Sequence, residues 1–124
     1  MLRYLAIDWG EKRIGLALAN SETKIASPFK VVNSLKELLV IIEEEEIDKI
    51  ILGEPKKLRD NQQLNTLWQL FYNTLRRKVD KEIILVDERY SSSAYDSLSG
   101  SKKTKASRDA IAASFILSTY LERN

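Results

Sequence analysis

The sequence predicts an α/β fold, in which a five-stranded mixed sheet carries helices on both faces. The sheet should consist of a three-strand antiparallel meander and two parallel strands. Three observations lead to this prediction. The first 32 residues contain three short apolar segments of the kind that forms strands. From residue 34 onward the apolar spacing becomes helical, and helical segments then alternate with two further apolar strands. Strand–helix–strand crossovers of this kind join parallel neighbours.

The meander follows from the alternation of the first segments. Residues 2–8 are typical of a buried strand, residues 9–12 (Trp-Gly-Glu-Lys) of a turn, and residues 13–19 of the hairpin partner. Residues 25–32 predict a weaker third strand, because Pro28 cannot donate a hydrogen bond to a neighbouring strand and suits an edge.

Two helices are indicated by caps followed by apolar residues at helical spacing. Ser34 and Glu37 fit a capping box at the start of the first helix. Asp60 or Asn61 should cap the second helix. The residues expected to share its apolar face are Leu64, Leu67, Phe71 and Leu75.

The remaining elements are two strands and a last helix. Residues 48–53 and 82–86 are the strands, and the helix should run from about residue 107 to 121. In open α/β sheets ligands collect at the carboxyl ends of the strands. Acidic residues follow three of the predicted strands there, namely Asp8, Glu54 and the pair Asp87 and Glu88. This coincidence is the main reason to expect a site at that edge.

Length and composition indicate one globular domain, residues 1–124. Hydrophobic residues make up 44% and charged residues 31%, which is the balance of a folded chain rather than a disordered one. No apolar run approaches the roughly 20 residues that cross a bilayer. A carboxylate at Asp8 also comes too early for a secretory signal. We therefore expect a cytoplasmic protein that does not associate with membranes.

The chain contains no Cys and no His. Disulfides, thiolate nucleophiles and imidazole bases are therefore excluded from its chemistry. Any metal must be held by oxygen ligands, which favours a hard ion such as Mg²⁺ or Mn²⁺. Carboxylates that converge from two strand ends and a helix can hold two such ions, which activate water and neutralise a phosphate.

Asp8 and Asp109 are the first two candidate ligands and catalytic residues. Asp8 ends a central strand, where an uncompensated charge is costly. Asp109 shares the apolar, sheet-facing stripe of the last helix. The third ligand is Glu88 or Asp87, since neighbouring strand residues point to opposite faces. Glu54 is a further candidate, with a solvent-facing position slightly favoured.

Basic residues accompany these acids along the chain, as expected where a polyanion approaches an acidic metal site. Residues 99–105 should be mobile and act as a substrate clamp, because this polar segment has no apolar anchor. The expected nucleic-acid contacts are Lys12, Arg13, Arg89, Lys102, Lys103 and Lys105.

Four motifs resemble, in order, those of the YqgF (RuvX-like) family. The first comprises residues 4–10 (Tyr-Leu-Ala-Ile-Asp-Trp-Gly) and 12–17 (Lys-Arg-Ile-Gly-Leu-Ala). The second is residues 51–55 (Ile-Leu-Gly-Glu-Pro). The third is residues 86–94, with Asp-Glu-Arg followed by serines and an alanine, and the fourth is residues 109–113 (Asp-Ala-Ile-Ala-Ala). The likeness spans nearly the whole chain.

The resemblance implies a ribonuclease H-like fold and a magnesium-dependent endonuclease that processes the 5′ end of the 16S rRNA precursor, with ribosome-assembly partners. The family's acids correspond to Asp8, Glu88 and Asp109, which favours Glu88 over Asp87. Asn20 stands where the family usually has Asp, and Glu54 where it commonly has Leu. The alternatives are a Holliday junction resolvase acting on branched DNA and a non-catalytic nucleic-acid-binding module.

Overall fold

The computed structural model describes residues 1–55, 60–87 and 105–123. Its elements are β1 (Arg3–Trp9), β2 (Ile14–Asn20), β3 (Ser27–Val32), α1 (Leu35–Glu44), β4 (Lys49–Glu54), α2 (Gln62–Lys78), β5 (Glu82–Asp87) and α3 (Lys105–Arg123). The strand order is β3-β2-β1-β4-β5. Strands β1 to β3 pair antiparallel, whereas β4 pairs parallel with both β1 and β5. The predicted fold class and strand arrangement are therefore confirmed.

Local hydrogen bonds explain where the first two helices begin. The Ser34 hydroxyl accepts from the Glu37 backbone N–H at 3.2 Å, as the capping motif predicts. At α2 the cap is Asn61 rather than Asp60, since the Asn61 side chain accepts from the Leu64 N–H at 3.0 Å. Strand β1 continues through Trp9, a residue that the sequence had indicated as the start of a turn.

One face of the sheet carries a core of large side chains beneath α1 and α2. Every second residue of a strand lies on this face, for example Leu5 and Ile7 in β1 and Leu16 in β2. The members of this core with less than 2% exposure include Leu5, Ile7, Leu16, Leu38, Ile47, Ile50, Leu52, Trp68 and Leu75.

Helix α3 covers the opposite face, where many of the residues are small. Ala6 and Ala17 of the sheet meet Ala113 of the helix, and all three are fully buried. Ile116 and Leu117 fill the remaining space further along α3. Small residues on both sides allow the helix backbone to lie close to the strands, mainly β2, β3 and β1.

The apolar stripe of α2 differs from the prediction at one position. Leu67 is 36% exposed, whereas Trp68 is buried at 1% and its ring stacks on Tyr72 at a centroid distance of 5.2 Å. Helical steps of four and three residues from Leu64 lead to Trp68 and Phe71, so Leu67 lies on the neighbouring, outer row. The prediction for Leu67 was wrong because it assumed a spacing of three residues from Leu64, whereas the buried residue, Trp68, lies four residues from Leu64.

None of the described helices combines the length and apolar character that crossing a bilayer requires.

Candidate functional site

Asp8 lies near the carboxyl end of β1, on the face covered by α3. Its neighbours establish the face, because Tyr4 and Ala6 pack under α3 whereas Leu5 and Ile7 pack under the other helices. The residue is partly buried. In the antiparallel ladder its partner on β2 is Gly15.

Gly15 allows α3 to approach the sheet beside Asp8. A Cβ atom at this position would overlap the carbonyl group of Asp109 in the first turns of α3. The φ angle of Gly15 is not positive, so the position requires glycine for space rather than for backbone conformation. Directly opposed residues in an antiparallel pair have Cα atoms about 4.5–5.5 Å apart. The backbone of Asp109 therefore contacts the residue that lies directly across from Asp8.

Arg13 links the start of β2 to the helix. Its Nε donates to the Asp109 Oδ2 at 2.6 Å, and the two side chains are 38% and 26% exposed. This short, charge-assisted hydrogen bond joins residues 96 positions apart in sequence. One end of the α3-covered face thus holds two predicted carboxylates and one predicted cation, namely Asp8, Asp109 and Arg13.

The two further described candidates lie on the other face of the sheet. Glu54 and Asp87 are register partners at the ends of the parallel strands β4 and β5. Leu52 packs under α1 and α2, and Val86 packs under α3. Alternation from these residues assigns both Glu54 and Asp87 to the α1/α2 face, opposite to Asp8. Glu54 is also exposed.

Several predicted site residues lie outside the described part of the chain. These are Glu88, Arg89, Lys102 and Lys103, together with most of the proposed clamp at residues 99–105. Lys105 begins α3, but its side chain is not among those described. Within the described ranges, no three carboxylates lie close enough to form a metal site. The predicted third ligand, Glu88, is not among the residues to which this statement applies.

A cleft of about 400 Å³ opens beside Asp109 at this end of the sheet. Lys12, which is exposed, and Arg13 bring positive charge to it. Trp9 also lines the cleft, although the sequence had indicated only a turn residue there. The sequence feature that could have indicated this role is an aromatic residue directly after the strand-end carboxylate Asp8. The described lining comprises Trp9, Gly10, Glu11, Lys12, Arg13, Pro55, Leu64 and Asp109.

Asn20, which departs from the pattern of the YqgF motifs, serves a turn at the other end of β2. Its Oδ1 accepts from the backbone N–H groups of Glu22 and Thr23 at 3.0 and 2.9 Å. It also accepts from the Thr23 hydroxyl at 3.3 Å. Asn20 pairs with Arg3, five ladder steps from the pair of Asp8 and Gly15, so it is remote from the candidate site.

Comparisons with known proteins agree with this architecture. The family model described as "RuvX: Holliday junction resolvase" matches residues 2–123. A protein of Maridesulfovibrio salexigens named "Putative pre-16S rRNA nuclease" is 39% identical, with 98% of this chain and 99% of the relative covered. A protein of the same name from Fusobacterium nucleatum is 32% identical, with 98% of each chain covered.

Among solved structures, one similar chain is RuvC of T. thermophilus in complex with a Holliday junction substrate. The TM-score is 0.66 with 14% sequence identity, and the match covers 99% of this chain and 96% of that one. At this level of identity the likeness concerns the fold, which is the ribonuclease H-like arrangement that the sequence motifs imply.

Proposed function

The chain belongs to the RuvX family, and we propose that it is a divalent-metal-dependent endonuclease that processes the 5′ end of the 16S rRNA precursor. The relatives that match over nearly their whole length carry the name of a pre-16S rRNA nuclease. The activity is hydrolysis of a phosphodiester bond in nucleic acid. Asp8, Glu88 and Asp109 are the proposed catalytic residues.

One observation carries this proposal. Asp8 and Asp109, which are 101 positions apart in sequence, lie at the same end of the α3-covered face, because the Asp109 backbone contacts Gly15, the ladder partner of Asp8. Arg13 compensates the charge of Asp109 in this structure, and a divalent cation would compensate both carboxylates at once. The arrangement is expected where a cation joins them.

The chemistry of the donors fits a hard divalent ion. Asp8 and Asp109 offer carboxylate oxygens, and the chain contains no imidazole or thiolate that would favour zinc. Glu88 is the proposed third ligand. Asp87 lies on the face opposite to Asp8, which favours Glu88, the acid that the family motif indicates. Two ions bound by such a set would supply an activated water and neutralise the charge of the scissile phosphate.

The protein's own residues then have distinct tasks. The three carboxylates hold and orient the ions, and the proximity of α3 to β2 determines the spacing of Asp8 and Asp109. Arg13 and Lys12 are proposed to bind phosphates on either side of the cut. Arg89, Lys102, Lys103 and Lys105 are proposed to extend this contact along the strand.

Arg13 occupies a special position among these cations, because it donates to the carboxylate of Asp109. Its charge compensates Asp109 before a metal is present. With a divalent ion held by Asp109, the Arg13 guanidinium would be available to a phosphate, to which it can donate two parallel hydrogen bonds. Arg13 would thus compete with the metal for Asp109 and would then help to bind the substrate.

The proposal is tested by offering purified protein four substrates side by side. These are a precursor containing the 16S rRNA 5′ end, a four-way DNA junction, a generic RNA strand and a generic DNA strand. We expect cleavage of the precursor with Mg²⁺ and none with EDTA. Preferential cleavage of the junction, with two symmetric cuts, would instead indicate a resolvase. Binding of all substrates without cleavage under any metal condition would indicate a non-catalytic module.

A further inference from the structure

Trp9 packs against the core under α1 and α2 and also lines the cleft that Asp109 borders at this end of the sheet. It is the last residue of β1 and directly follows Asp8. Its ring packs against Phe71 of α2, with centroids 6.1 Å apart and an interplanar angle of 37°. Phe71 is only 9% exposed and belongs to the core, so it holds the indole in place. Trp9 itself is only partly buried and lines the cleft.

The other lining residues give the cleft two chemically different parts. Pro55 and Leu64 add apolar surface beside the indole. The charged lining residues are the cations Lys12 and Arg13 and the anions Glu11 and Asp109, and Arg13 is paired with Asp109, one of the proposed metal ligands. The volume of about 400 Å³ lies within the range of sites that hold small ligands, which is about 300–1,000 Å³.

We propose that this cleft is a binding subsite for one unpaired nucleobase next to the scissile phosphate, with the base stacked on Trp9. A nucleotide presents a flat, largely apolar base and an anionic phosphate, which match the two parts of the cleft. The inference rests on the proposed function, because it takes a nucleic-acid strand as the ligand. It adds that the nucleotide beside the cut must be unpaired.

The requirement for an unpaired base follows from the physics of stacking. A base within a duplex already stacks on its neighbours and cannot lie against a fixed indole without leaving the helix. Stacking on an aromatic side chain accepts any base, since every base has a π-face. The subsite should therefore select single-stranded or frayed positions with little preference for sequence.

The chain offers a direct probe of this subsite, because it contains two tryptophans in different settings. Trp68 is 1% exposed in the core, whereas Trp9 lines the cleft. A Trp68→Phe variant has Trp9 as its single tryptophan, and a Trp9→Phe variant has only Trp68. Circular dichroism and thermal melting establish that each variant is folded before binding is measured.

The ligands are end-labelled RNA and DNA strands of about 12 nucleotides, a length within the range that single-strand sites of OB folds span, and the corresponding blunt duplexes. Binding is followed in EDTA by anisotropy of the label and by tryptophan fluorescence. In Trp68→Phe we expect single strands to quench Trp9 with the same dissociation constant that anisotropy reports. In Trp9→Phe the same strands should leave the emission of Trp68 unchanged.

Affinity provides the second measurement. Trp9→Leu keeps an apolar side chain but removes the aromatic ring, and should weaken binding of single strands by about 5- to 150-fold. Trp9→Phe should retain affinity within a few fold, and duplex binding should change little in either variant. Equal weakening of single strands and duplexes by Trp9→Leu, or single-strand binding without quenching of Trp9, would overturn the subsite.

Cleavage with Mg²⁺ is measured separately, so the two proposals can fail independently. Quenching of Trp9 without cleavage would support the subsite and contradict the nuclease. Cleavage with normal affinity in Trp9→Leu would contradict the subsite and leave the nuclease intact. If the wild-type chain binds none of the four ligands, the subsite is wrong, while cleavage of the 16S precursor with Mg²⁺ still decides the nuclease.

Discussion

The two faces of the sheet are built from side chains of different size. Under α1 and α2 the sheet presents residues such as Ile7 and Leu16, which meet the large rings of α2. Under α3 it presents Ala6, Gly15 and other small residues. Large side chains bury more apolar surface and hold their helices at a distance. One face therefore mainly supplies buried apolar surface, whereas the other brings the backbone of Asp109 against Gly15, the ladder partner of Asp8.

The largest expected effect comes from removing a proposed ligand on the small-residue face. Asp8→Asn preserves shape but removes the negative charge that is proposed to hold the metal. We expect metal-dependent cleavage to fall by more than the roughly 100-fold that loss of an indirect metal partner can cost. The melting temperature without metal should not fall, because the change relieves repulsion between carboxylates.

Asp48→Asn provides the matched control. Asp48 lies at the opposite end of the sheet, where its Oδ2 accepts from the Arg3 backbone N–H at 2.8 Å. The amide oxygen of asparagine can still accept this bond, so folding and cleavage should persist. If a folded Asp8→Asn protein cleaves as fast as the Asp48→Asn control, the proposed metal site is wrong.

The second prediction distinguishes the effect of the distance between α3 and β2 on cleavage from the effect of the fold's stability. Gly15→Ala adds one methyl group where it would overlap the Asp109 carbonyl. Such overpacking costs about 1–3 kcal/mol, and a shift of about 1 Å in a catalytic group can reduce the rate by about 100-fold. Chemical unfolding and cleavage rates, both measured well below the melting temperature, report the two effects.

Ile7→Val is the corresponding change on the other face. It removes one methylene group from the fully buried Ile7 and should cost about 0.5–1.5 kcal/mol. Cleavage per folded molecule should remain near the wild-type value. Equal losses of activity in the Gly15 and Ile7 variants would show that the two faces do not differ in function.

Much of the fold was predictable because its signals are local. Short apolar segments indicated all five strands, and the capping candidates Ser34 and either Asp60 or Asn61 indicated where two helices begin. The error at Leu67 also has a local cause, since helical spacing of three or four residues leaves two rows to choose from. Trp68, the large residue on the inner row, was the better choice on size alone.

The site was less predictable because it depends on contacts between distant parts of the chain. The face of Asp87 required the packing of Val86 under α3. The Arg13–Asp109 bond and the approach at Gly15 join residues more than 90 positions apart. Spacing within a motif carries no information on such distances. The motifs therefore indicated candidate residues for the site, while the close approach of α3 came only from the structure.

The third prediction concerns Arg13 and has a smaller effect. Arg13→Gln should reduce affinity for single strands and make the slope of log affinity against log salt shallower by about 0.7. Mn²⁺ should bind more tightly, because Asp109 loses its competing guanidinium. Stability should change by less than about 1 kcal/mol, as the pair is partly exposed. Anisotropy titrations across salt concentrations and metal titrations measure these quantities.

Arg3→Gln is the control, because Arg3 forms a similar pair at the other end of the sheet. Its Nη2 lies 3.0 Å from the Glu45 Oε1, and its side chain is 36% exposed. This variant should lose comparable stability but keep the salt slope and the metal affinity. An identical response of the two arginine variants would mean that Arg13 acts only as a structural ion pair.

The smallest effects are expected at Asn20, which contributes to neither the metal ligands nor the cleft. Its Oδ1 accepts three hydrogen bonds from Glu22 and Thr23 in the turn after β2. A carboxylate oxygen can accept the same three bonds, so Asn20→Asp should change stability by no more than about 0.5 kcal/mol. Asn20→Ala removes the acceptor and should cost about 0.5–1.5 kcal/mol.

Cleavage rate and metal dependence should be unchanged in both variants, since the turn lies at the end of β2 remote from Gly15. A changed metal requirement in Asn20→Asp would extend the functional region to the far end of the sheet.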